Sequence, residues 1–177
     1  MSEHETIEKV KRKRGLLSKI QDFFLLGYST REDLRELDKQ LRVSYYDDLR
    51  AIRHKWEDLY LDILDARVDF STRDLKRVIQ VLDRVIEKIR HADYGYAGLF
   101  DRKGNINETE LARVFNYDQS LGSDVEAMVA AVDQAYRNVE TENWTDAKID
   151  VKNVKKILYN LEEKWNEREG LFRPLTI

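Results

Sequence analysis

Between Thr30 and Phe70 the chain has neither glycine nor proline, and apolar residues recur every three or four positions: Leu34, Leu37, Leu41, Tyr45, Leu49, Ile52, Trp56, Leu59, Ile63, Ala66 and Phe70. That spacing predicts one helix of about 40 residues, roughly 60 Å long at 1.5 Å per residue. Ser29-Thr30-Arg31-Glu32 starts it as a capping box, the Ser hydroxyl accepting from a free first-turn amide while the Glu reaches back to the cap amide. Three successive spacings of four between Leu37 and Leu49 form a stutter, which locally unwinds a supercoil. If the helix breaks, the place is Val43-Ser44-Tyr45-Tyr46, where β-branched, cap-forming and aromatic residues gather.

The rest of the chain repeats the theme. Seven Gly and one Pro among 177 residues, with 37% of them charged, leave little room for a sheet and its turns. The class is all-α. Ser71-Thr72-Arg73-Asp74 gives a second start signal, followed by a seam through Leu75, Val78, Leu82, Val85, Ile89 and Ala92. A fresh cap two residues after the long helix predicts a reversal, so that this helix covers only the second half of the first. Residues 93–123 are expected to be largely irregular, with a short helix carrying Leu111, Val114 and Phe115 and a connection at Ser120 to Ser123. Val125, Met128, Val132, Ala135 and Val139 form a heptad seam expected to end near Glu142. A last helix carries Val151, Val154, Leu158, Leu161 and Trp165, capped by Asp150 or by Thr145-Asp146 and stopped by Gly170 and Pro174. The expected organisation is a basic, amphipathic segment over 1–28, a helical bundle domain over 29–172 and a tail over 173–177. The architecture is an elongated helical bundle built on the long helix, with an N-terminal amphipathic helix.

That N-terminal helix follows from Lys9, Lys11, Arg12, Lys13 and Arg14, which precede Leu16, Leu17, Ile20, Phe23 and Phe24 on one broad face. Lys19, Gln21 and Asp22 interrupt the apolar stretch and no small-residue cleavage site follows, which argues against an export signal. The longest apolar run there, Phe23 to Leu26, is far below the roughly 18 residues of a spanning helix. Such a face can pack on the bundle, or it can lie on a membrane surface, where each cation near anionic lipid contributes about 1 kcal/mol. The candidate residues for contact with a membrane or an acidic partner are Lys9, Lys11, Arg12, Lys13, Arg14, Leu17, Ile20, Phe23 and Phe24.

Catalytic signatures are sparse. There is no cysteine, hence no disulfide, thiolate zinc site or cysteine nucleophile, and a reducing cytoplasm is the expected compartment. Net charge −3 argues against a general nucleic-acid binder. Asp58, Asp62, Asp65 and Asp69 line one flank of the long helix, and two such rows facing each other could hold Mg²⁺ or Mn²⁺. An obvious second row is missing, so a salt-bridged or solvated face is the simpler reading, and no metal ligand and no cofactor is assigned. The segment Asp101 to Glu110 imitates a calcium loop, but its Gly104 and Glu110 fall out of register. His54 and His91 have no recognisable partner set and are expected at or near the surface.

An uncovered stripe is the larger clue. A 60 Å helix beside helices half as long leaves Leu34, Leu37, Leu41, Tyr45, Leu49 and Ile52 without cover, and such a stripe does not stay bare in water. A second copy or another helical protein is therefore the expected partner, with Tyr94, Tyr96 and Phe100 of the Gly-rich connection as further contact residues. Three functions fit: a non-enzymatic helical interaction or scaffold protein that self-associates, a peripheral membrane protein anchored through residues 9–26, and a divalent-metal phosphohydrolase of all-α type using Asp58, Asp62 and Asp65. The first is favoured.

Overall fold

In the computed structural model the described residues are 31–92 and 108–172, together with Ser18, and side-chain surroundings are described from Glu36 to Ala92 and from Asn116 to Arg168. Four helices lie among them: α1 (Arg31–Asp65), α2 (Thr72–Arg90), α3 (Glu108–Glu140) and α4 (Trp144–Phe172). They form an all-α four-helix bundle. α1 and α2 make one antiparallel hairpin, tied by Trp56 Nε1 donating to the Leu75 carbonyl at 3.1 Å near one end and Arg42 donating to the Ala92 carbonyl at the other. α3 and α4 make the second, from Asn138–Asp150 near the turn to Tyr117–Glu167 far from it.

The hairpins lie side by side in the same orientation. Tyr45 meets Asp118 and Lys55 meets Asp133, so α1 and α3 run parallel. Asp74 meets Lys155 and Lys88 meets Asn166, so α2 and α4 do too. Going round the bundle the order is α1, α2, α4, α3. The expected reversal after Phe70 is present, and the seams read from the sequence point inward: Leu75, Val78, Leu82, Val85 and Ile89 of α2, Val125 to Val139 of α3, and Val151 to Trp165 of α4 are buried.

Five expectations need correction. α1 runs unbroken through Val43 to Tyr46 but is 35 residues long, not about 40. It ends because Arg67 takes a left-handed conformation, φ 52°, and its amide turns to the Leu64 carbonyl at 3.1 Å. Phe70, four residues after Ala66, looked like a further helical position. Past the turn its ring instead meets Trp144 of the other hairpin edge-on, centroids 6.2 Å apart.

The expected connection at Ser120–Ser123 does not exist, since α3 is one helix of 33 residues. Gly122 is not a breaker but a place of close approach: a Cβ there would lie 3.4 Å from the Tyr45 hydroxyl, which donates to the Asp118 carbonyl at 2.9 Å. α4 starts at Trp144, earlier than either expected cap. Glu142 at φ 57° closes α3 with its amide on the Val139 carbonyl, and the Asn143 amide reaches back to Asn138 at 2.8 Å, a Schellman closure. Asn143 also opens α4, its carbonyl accepting from the Ala147 amide and its side-chain amide donating to Asp146. Gly170 lies within α4, which extends to Phe172.

The uncovered stripe is covered. Leu41, Tyr45, Leu49 and Ile52 are buried by the chain's own helices, because the second hairpin lies along α1 where α2 alone could not reach. The premise that called for a second copy on residues 34–52 fails at these four positions. Leu37 is half-buried against the core, and Leu34 lies in α1 with its side-chain surroundings outside the described set.

Candidate functional site

Two polar arrangements stand out, one inside the bundle and one on its surface. The inner one continues the core seams by a single step. Three residues before Leu41, three before Leu121 and three after Trp165 stand Asp38, Asp118 and Arg168, all essentially without solvent exposure. Arg168 Nε donates to Asp118 Oδ1 at 2.5 Å and its Nη2 to Asp38 Oδ1 at 2.8 Å, spanning the diagonal from α4 to α1. Its guanidinium lies over the Trp165 ring, 5.1 Å from the centroid. Arg42 takes the other Asp38 oxygen at 3.0 Å. Two carboxylates and two guanidiniums balance. Burial, with the negative charge of Asp118 adding to it, raises the Tyr45 hydroxyl well above the ordinary tyrosine range, so it stays a proton donor. Arg168 commits both carboxylates across helices while Arg42 braces Asp38 from within α1, which makes this a layer that aligns α1, α3 and α4.

The surface arrangement is a groove of about 980 Å³ between α2 and α4, lined by Ser71 to Asp74, Lys76, Arg77, Gln80, Lys155 and Tyr159. Ser71 caps α2, its hydroxyl accepting from the Asp74 amide at 3.3 Å, which sets Arg73 and Lys76 on the first exposed turns. Lys155 reaches across to Asp74 at 2.6 Å, and this hydrogen bond holds the Asp74 carboxyl below its usual range. Arg77 donates to the Tyr159 hydroxyl at 3.2 Å. Among the described residues Arg73, Lys76 and Arg77 form no direct ion pair with a carboxylate, although Arg73 lies close enough to Asp74 to help lower it. Further along the same face Glu162 is held by Arg84 at 3.1 Å and Lys88 at 3.4 Å. Burial alone would raise its carboxyl, but those two cations outweigh it and leave it lowered.

The other sequence-derived sites fare differently. Asp58, Asp62, Asp65 and Asp69 are exposed on and just beyond the end of α1; the nearby cations of α2 turn elsewhere, Arg77 and Arg84 to α4. Among the described residues no group of three or more His, Asp or Glu is placed to hold a metal ion. No described helix is long and apolar enough to cross a membrane. His54 is exposed and His91 ends α2 at the surface, its Nε2 3.1 Å from Glu87. Lys9, Lys11, Arg12, Lys13, Arg14, Leu17, Ile20, Phe23 and Phe24 lie outside the described residues, as do Tyr94, Tyr96 and Phe100.

Sequence reasoning passed over both arrangements. The inner layer had a legible signal, a charge at the next three-residue step of each of three seams. The groove had none, because it needs α2 and α4 to be neighbours running the same way. Comparisons with known protein families, with curated proteins and with solved structures give no match.

Proposed function

We propose that this chain is a helical interaction module whose α2–α4 groove docks an acidic surface of a partner. The observation that carries this is a concentration of cations, Arg73, Lys76 and Arg77, that form no direct ion pair among the described residues, in a chain whose net charge is −3. Exposed surface pairs usually contribute little, but several like charges along one groove focus a field that steers and retains an oppositely charged ligand. Tyr159 and the alkyl stems of Lys76 and Lys155 supply the apolar contact that purely charged surfaces lack. A fluorescent oligoglutamate peptide titrated with the full chain at low salt tests the reading. Reversing Arg73→Glu, Lys76→Glu and Arg77→Glu together should weaken binding at least about tenfold, with the helical circular dichroism unchanged. Equal binding by the variant would overturn the proposal, as would tighter groove-dependent binding of a single-stranded oligonucleotide.

A further inference from the structure

One acidic surface of matching size lies on the chain itself. On the last two turns of α1, Asp58, Leu61, Asp62 and Asp65 fall at i, i+3, i+4 and i+7 and share one face, away from buried Trp56, Leu59 and Ile63. All four are exposed, Leu61 at 51% of its surface, with Leu64 at 42% on the stripe's edge. Large aliphatic side chains left this open beside three carboxylates form a helix face that nothing within the described residues covers. The stripe spans eight residues, seven steps or about 10 Å of helix, and so does the groove wall from Arg73 to Gln80. Three carboxylates on one surface answer three cations on the other. The stripe lies on the outer side of α1, whereas the groove opens between α2 and α4, so one molecule cannot bring its own two surfaces together.

Resting on the docking reading above, we propose that the occupant of the groove is the α1 stripe of a second copy of this chain. Asp58, Asp62 and Asp65 then face Arg73, Lys76 and Arg77, while Leu61 and Leu64 leave water against Tyr159 and the lysine stems. The two surfaces differ, so the contact is heterologous: a pair keeps one groove open on one copy and one stripe open on the other, and association continues head to tail. This is a different face from the stripe Leu41 to Ile52, which the bundle uses for its own core.

Analytical ultracentrifugation of the full chain at about 200 μM and about 20 mM salt, where screening is weak, tests it. The average mass should rise with concentration and return to the monomer value at about 500 mM salt. Arg73→Glu/Lys76→Glu/Arg77→Glu and Asp58→Lys/Asp62→Lys/Asp65→Lys should each stay monomeric alone. Mixed in equal amounts they should form a complex, because each keeps the surface the other has lost. A wild-type chain that stays monomeric while its groove still binds oligoglutamate overturns the second-copy assignment and leaves the docking reading standing. Loss of oligoglutamate binding as well removes both. Association of the wild type that survives either triple substitution, or a mixture that stays monomeric, places the contact elsewhere and also overturns the assignment.

Discussion

At the end of the bundle where both hairpins turn, Trp56, Leu59, Ile63, Leu75, Val139, Ala147 and Val151 are buried, and Phe70 meets Trp144 edge-on. At the opposite end the same seams are completed by Asp38, Asp118 and Arg168. The apolar end accepts hydrophobic side chains of about the right volume in more than one arrangement. The ionic end does not. One guanidinium on α4 can meet carboxylates on α1 and α3 only in a single register, and a slip of one residue would strand all three in the core. Stability and alignment are thus supplied from different ends of the same four helices.

The largest expected effect breaks the ionic end. Arg168→Met leaves two buried carboxylates short of their guanidinium and should cost about 3–5 kcal/mol, read from the denaturant midpoint. Replacing Asp38, Asp118 and Arg168 together by Leu, Leu and Met should recover most of that loss. A triple variant as unstable as the single one would show that the layer contributes energy and not merely alignment. At the apolar end Leu59→Ala should cost about 2–4 kcal/mol, by the same amount at pH 4.5 and pH 7, since no titrating group is involved.

The comparison extends to the surface through Glu162 and Asp74, whose carboxyls are lowered by their cations. Lowered groups contribute stability above the ordinary carboxylate value, and that contribution is lost as pH falls through the folded value, here from about pH 5 towards pH 3. Both pairs are partly solvated, so each is worth about 1 kcal/mol or less. Glu162→Gln should flatten the acid limb of a melting-temperature profile; an unchanged slope would show that the pair contributes nothing. The smallest effect sharpens the description of the turns. Arg67 and Glu142 hold left-handed conformations that favour glycine, so Arg67→Gly and Glu142→Gly should each raise stability by about 0.5–1 kcal/mol in chemical denaturation.

Arg67 also explains what could not be read in advance. Helix ends are found from sequence by glycine at the left-handed position, and an arginine occupies it after α1, so periodicity alone carries that helix on to Phe70; α3 ends near Glu142 as expected, while the start of α4 is hidden in Asn143, which closes one helix and opens the next. Gly122 misled in the other direction, since a glycine that admits the Tyr45 hydroxyl carries the same letter as one that ends a helix. Asp38, Asp118 and Arg168 sat at legible seam positions but were passed over because charge is ordinarily taken as a mark of the surface.

Local periodicity determined a good deal without any fold: the all-α class, the inward faces of α2, α3 and α4, the Ser71 cap and the reversal before it. These depend on residues three or four apart, which meet on one helix whatever surrounds it. Tertiary structure alone decided which helices are neighbours. Placing the second hairpin parallel to the first covered the stripe from Leu41 to Ile52, joined α2 to α4 as the walls of a basic groove, and gave Arg168 its two carboxylates. Such pairings join residues 50 to 130 positions apart, and no short-range pattern encodes them, because any inward face can be buried by any other until shape and charge select one.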